Sequence, residues 1–150
     1  MRAMLSNAFK SAMKDKETVA VSTLRLILAA IKDRDIAART KGNTEGISDD
    51  EILALLQSMI KQRRESIDAF EKGGRMELVK QETSEIAVIE RFLPRQMSED
   101  EMTEALNSII VEVNASTLKD MGKVMGALKE RFPGRMDFSK VSGLVKKKLN

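Results

Sequence analysis

The sequence predicts an all-α, multihelical protein in two helical subdomains, four helices followed by a three-helix part. Three observations lead there. Apolar residues recur at spacings of three and four through most of the 150 residues, with no sustained alternation of the strand kind. Two of these stretches open on a capping box, Ser48-Asp-Asp-Glu51 and Ser98-Glu-Asp-Glu101, in which serine and glutamate satisfy each other's free amides. Between the two halves, Leu93-Pro94 ends the periodicity, because the residue before proline disfavours helical geometry. The expected subdomains are 1–94 and 98–150, joined by a short linker at 95–97.

Each element has a local reason. A short helix is predicted near 2–14. Asp15 is the expected cap of a long helix over about 17–40, with Ala20, Leu24, Ile27 and Ile31 on one face. Val21 and Leu28 widen that stripe, which marks this helix as the central member of its bundle. "TKGNTEGIS", residues 40–48, is a loop by its glycines, Asn and Ser. Ser48 opens a third helix carrying Ile52, Leu56, Met59, Ile67 and Phe70 as far as Gly73-Gly74. A fourth, about 75–93, presents Val79, Ile86, Ile89 and Leu93 inward. Ser98 opens a fifth over about 99–114. Thr117-Leu-Lys-Asp120 is a weaker capping signal for a sixth over about 118–132. "FPGR" breaks the chain, and Asp137 caps a final helix to Leu149. Most of the ten methionines occupy apolar helix positions, where a flexible thioether fills gaps.

Composition excludes several chemistries. The longest purely apolar run, Leu26–Ile31, falls far short of the ~20 residues that span a bilayer, so no membrane partner is expected. "MRAMLSNAFK" holds no apolar block before a small-residue cleavage site, and no signal peptide is expected. The absence of cysteine rules out disulfides and fits a reducing, cytoplasmic location. Without Cys or His there is no thiol nucleophile, no imidazole base and no zinc or copper site of the usual type. No metal or cofactor is expected, and no catalytic residue is assigned. Glu82, Glu85 and Glu90 lie on one helix with no companion base. Lys61, Arg63 and Arg64 precede Glu65, Asp68 and Glu71 at pairing distance, which reads as a solvated, salt-bridged face. No Trp or Tyr is present to stack on bases, so a nucleic acid would be held mainly by charge and shape.

The formal charge of +3 is unevenly spread. Residues 1–97 hold 17 basic and 15 acidic residues, 98–116 hold none and five, and 117–150 hold nine and three. The positive end is either a solvated lysine-rich tail or a footprint for a polyanion. "DMGKVMGALKERFPGR", residues 120–135, sharpens the question. It places Gly122 and Gly126 four apart inside a helix, where each glycine costs about 1 kcal/mol relative to alanine. At about 100° per residue, Met121, Val124, Met125, Leu128 and Phe132 form the buried sector, and the glycines fall opposite, beside Lys119, Lys123 and Glu130. In the last helix Phe138, Val141, Val145 and Leu149 form the stripe, with Gly143 opposite, near Lys140 and Lys147. Bare backbone among lysines admits a bulky anion such as a phosphate chain, or else a partner helix packed on the small residues.

Three stretches together resemble the YqeY family: "AMKDKETVAVSTLRLILAAIKDRDI", "KQRRESIDAFEKGGRMELVKQETSEIAVIERFLPRQMSEDE" and "KDMGKVMGALKERFPGRMDFSKVSGLVKKKL". They cover nearly the whole chain. That family is similar to the C-terminal tail domain of the B subunit of the aspartyl/glutamyl-tRNA amidotransferase, which engages the tRNA substrate. The resemblance implies an all-helical fold in two parts and a carbon–nitrogen ligase label by association. Its glycine–lysine motif matches at Gly122, Lys123, Gly126 and Arg135, with Lys119 just upstream. Met136-Asp137-Phe138 departs from the smaller residues of the family pattern at that turn. The resulting expectation is a non-catalytic module binding tRNA or another structured RNA through Lys119, Gly122, Lys123, Gly126, Arg135, Lys140, Gly143 and Lys147. The alternatives are a protein–protein adaptor using the glycine strip, or an accessory to a glutamine-dependent carbon–nitrogen ligase.

Overall fold

Side-chain caps account for where three of the seven helices begin. In the computed structural model, which describes residues 1–150, the helices are α1 (Arg2–Lys14), α2 (Thr18–Thr40), α3 (Asp49–Lys72), α4 (Met76–Glu90), α5 (Glu99–Glu112), α6 (Met121–Arg131) and α7 (Phe138–Leu149). A single 3-10 turn, Leu118–Asp120, leads into α6, and there are no strands. Both serine boxes form: Ser48 Oγ accepts from Glu51 N, and Ser98 Oγ accepts from Glu101 N, each at 3.2 Å. Asp137 caps α7 by accepting from Ser139 N at 2.9 Å.

One cap differs from expectation, and one helix whose capping box forms starts late. Asp15 closes α1 rather than opening α2; the residue before α2 is Glu17, which makes no side-chain cap. The chain reverses there through Lys16 in the left-handed region at φ 58°, with Glu17 N donating to Ala12 O. The sixth helix also starts late. The Asp120 carboxylate accepts from Ser116 N and Thr117 N, at 2.9 and 3.2 Å, and tightens the first turn to a 3-10 form.

The chain divides into two compact units, Met1–Leu93 and Pro94–Asn150. In the first, α2 packs on α1, α3 and α4, and α3 packs along α4. Leu5, Leu24, Ile27, Ile52, Leu56 and Ile89 form the fully buried centre. The carboxyl-terminal part of α3 is looser than its pattern suggests, since Ile67 and Phe70 stay half-exposed. In the second unit α6 packs on α5 and α7, burying Leu106, Ile109, Val124, Leu128, Val141 and Val145. Met136 is fully buried there, and Phe138, half-exposed, packs against the same core.

Residues 95–97, expected as a linker, are bound into the second unit. Met97 N donates to Arg135 O at 2.9 Å, Arg135 Nε donates to Arg95 O at 3.0 Å, and Gln96 Nε2 donates to Gly134 O at 2.7 Å. Gly134 turns the chain at φ 73°, a conformation a side chain would strain.

Candidate functional site

The site is built on α6 and α7. Core packing of Val124 and Leu128 on one helix, and of Val141 and Val145 on the other, fixes which sides face outward. Gly122, Gly126 and Gly143 are all exposed, and a Cβ built at any of them would meet no atom within 4 Å. No neighbouring segment covers the bare backbone. Lys119, Lys123, Lys140 and Lys147 are exposed as well, and none of them forms an ion pair. In this unit the acids that do pair take arginines: Glu112 with Arg131, and Glu101 with Arg95 at 3.8 Å.

The eight candidate residues do not all do the same work. Lys119 sits on the 3-10 turn rather than on α6. Arg135 is half-buried: its Nε serves the Arg95 carbonyl, and its guanidinium lies 6.0 Å over the Phe132 ring. It is a staple between residue 95 and the α6–α7 turn more than a free cation. Asp120 lies one turn before Lys123, and its carboxyl is held below the usual range by the Ser116 and Thr117 amides, with Lys123 adding to the effect. An ionised Asp120 therefore marks one end of the glycine strip.

Two cations beside the strip escaped the sequence reading. Lys129 lies three residues beyond Gly126, its ammonium 5.9 Å over the Phe138 ring, and Lys146 lies three beyond Gly143. The spacing of three on a helix was the available signal.

Elsewhere the structure redistributes charges. Arg63 and Arg64 pair across to α4, with Glu85 at 3.4 Å and Glu90 at 3.7 Å, not along α3 with Glu65, Asp68 or Glu71. Two of the carboxylates without a role thus become ion-pair partners. The third, Glu82, has its carboxyl raised by burial and by the neighbouring charge of Glu85. No three carboxylates converge in a way that could hold a metal ion, and no helix is long and apolar enough to cross a membrane.

The family model described as Yqey-like protein matches residues 2–149, and the chain belongs to the YqeY family. Among curated proteins it is similar to "Altered inheritance of mitochondria protein 41, mitochondrial" of Lachancea thermotolerans. The two are 33% identical over 127 residues, covering 81% of this chain and 66% of that protein. The protein of the same name in Eremothecium gossypii is 35% identical over 61% of this chain and 48% of its own length. That of Kluyveromyces lactis is 32% identical over 60% and 46%. The chain thus spans between about half and two thirds of the length of these relatives. The expectation of a cytoplasmic protein is overturned by this finding, since the relatives are named as mitochondrial. Cysteine content constrains redox chemistry and does not encode an address.

Proposed function

We propose that the chain is a non-catalytic module that binds structured RNA, tRNA in the first place, through the outward faces of α6 and α7. One observation carries the reading: three glycines leave helix backbone open to approach, beside exposed lysines that form no ion pair. Phosphates need cations, and a bulky strand needs room against the helix; this surface offers both. With few aromatic rings to stack bases, recognition rests on the shape and charge of the backbone. The tRNA class follows from the resemblance to the amidotransferase tail domain. The relatives' names speak of mitochondrial inheritance, and the RNA reading is argued for this chain on its own residues.

The test is filter binding of mixed tRNA over a range of salt concentrations. Four to six phosphate contacts predict a log–log salt slope of about −3 to −5. Lys123→Gln and Lys147→Gln should each reduce that slope by about 1 and weaken binding to all tRNAs alike. Binding that is absent at low salt, or flat with salt, overturns the reading. Nuclease-insensitive co-purification of one defined protein, with no tRNA retained, would instead support the adaptor role.

A further inference from the structure

We propose that the outward face of α2, in the first unit, is a docking surface for an acidic amphipathic helix of a partner protein. The inference is independent of the RNA reading. α2 is 23 residues long, and its inward face (Ala20, Leu24, Ile27 and Ile31) is occupied by the core. The opposite face is not polar throughout. Leu26 and Ile36 are 50% and 51% exposed, and Ala29 between them is exposed too. Positions 22, 26, 29, 33, 36 and 40 step by four and three alternately, the spacing of a seam along which a second helix packs; Leu26, Ala29 and Ile36 are its apolar members, and Ser22, Asp33 and Thr40 its polar ones. Ala29 near the middle lets a partner backbone come close.

Charge identifies the partner. Arg25, Lys32 and Arg39 follow one another at intervals of seven along one flank of the seam. Seven residues bring a helix round to within about 20° of the start, so the three cations form one row nearly parallel to the axis. All three are exposed and none is in an ion pair. Arg25 lies 5.8 Å over the Phe9 ring, which holds its guanidinium beside the seam. At the start of α2 the face meets an open groove of about 320 Å³ lined by Met13, Lys16, Thr18, Val21, Ser22 and Arg25. Asp33 falls on the seam and disfavours a carboxylate opposite it, which sets the register of an otherwise acidic partner. Exposed Leu26, Ala29 and Ile36 contribute nothing to binding phosphates, and Asp33 opposes it. A narrow seam centred on alanine with cations on one flank also suits a helix better than a lipid surface, which favours a broad face of large side chains with cations around it.

The probe is a designed peptide about as long as α2, with leucine along its seam and glutamate on its flanks; its twin carries lysine for glutamate. Fluorescence anisotropy with the full chain should show binding of the acidic peptide only. Leu26→Asp with Ile36→Asp should weaken it by about tenfold or more. Arg25→Glu with Lys32→Glu should reverse the preference, so that the lysine peptide binds instead. All four positions are exposed, and far-UV circular dichroism checks that the variants fold. Equal binding of both peptides, undiminished binding after the Leu26/Ile36 change, or sedimentation with anionic vesicles while the acidic peptide fails to bind, each overturns the proposal.

Discussion

Arg2 holds Asp35 through both terminal guanidinium nitrogens, Nη1 and Nη2, each 2.7 Å from a carboxylate oxygen, across 33 residues of chain. The same Arg2 donates to Ile47 O at 2.9 Å, and Asp35 Oδ1 accepts from Ile47 N at 2.9 Å. The end of the loop before α3 is thereby tied to α1 and α2 at once. Gly46 passes over this pair at φ 91°; a Cβ there would meet Asp35 Oδ1 at 2.7 Å and Arg2 Nη2 at 2.8 Å. The clamp requires glycine for space and for conformation together.

The clamp makes stability depend on acid. Hydrogen bonds from Arg2, then from the Ile47 amide, hold the Asp35 carboxyl at about 2 against an ordinary 3.8. A carboxyl depressed in the folded state contributes stability above its ordinary value and loses it as pH falls through the depressed one. Asp35→Asn removes that contribution at every pH. The Tm difference between wild type and variant should therefore be widest near neutrality and should close between about pH 4 and about pH 2. A difference constant with pH would show that Asp35 acts through shape alone.

Gly126 separates stability from function. It lies inside α6 with nothing near its absent Cβ, so Gly126→Ala should stabilise the protein by about 1 kcal/mol. For a small unit this raises Tm by roughly 4–8 °C. Under the RNA reading the same change weakens tRNA binding, because the added methyl stands where the ligand approaches. Calorimetry and filter binding on one preparation check both halves; a more stable variant that binds as tightly as wild type counts against close approach at this glycine.

Arg135 and Lys123 should part company. Arg135→Gln loses the bond to the Arg95 carbonyl and the contact with Phe132, so it should cost about 1 kcal/mol of stability. Lys123→Gln, exposed and without an ion pair, should stay within about 0.5 kcal/mol of wild type while reducing the salt slope of binding. Thermal melts rank the two one way and tRNA titrations the other. Identical rankings would mean that Arg135 is a contact residue after all.

Thr23 is 0% exposed in the first core, and its hydroxyl has no hydrogen-bond partner. A buried hydroxyl left unpaired is costly, and valine has nearly the same shape. Thr23→Val should raise stability by about 1 kcal/mol, read as a shift of the urea midpoint with an unchanged slope. A lower midpoint would mean that the hydroxyl is satisfied in solution.

Much of the fold and the glycine faces was legible in the sequence, because helix periodicity, capping and outward placement depend on residues within a turn or two. Ser48 and Ser98 cap as their spacing implies, and Gly122, Gly126 and Gly143 face outward because Val124, Leu128, Val141 and Val145 must face inward. Tertiary structure alone decided what joins distant residues. Arg63 and Arg64 reach α4 rather than their own helix, Arg135 commits its guanidinium to residue 95 and Phe132, and Met136 joins Phe138 in the core. Arg2 gives no hint in sequence of Asp35, because a long side chain chooses its partner by where packing sets two helices in space.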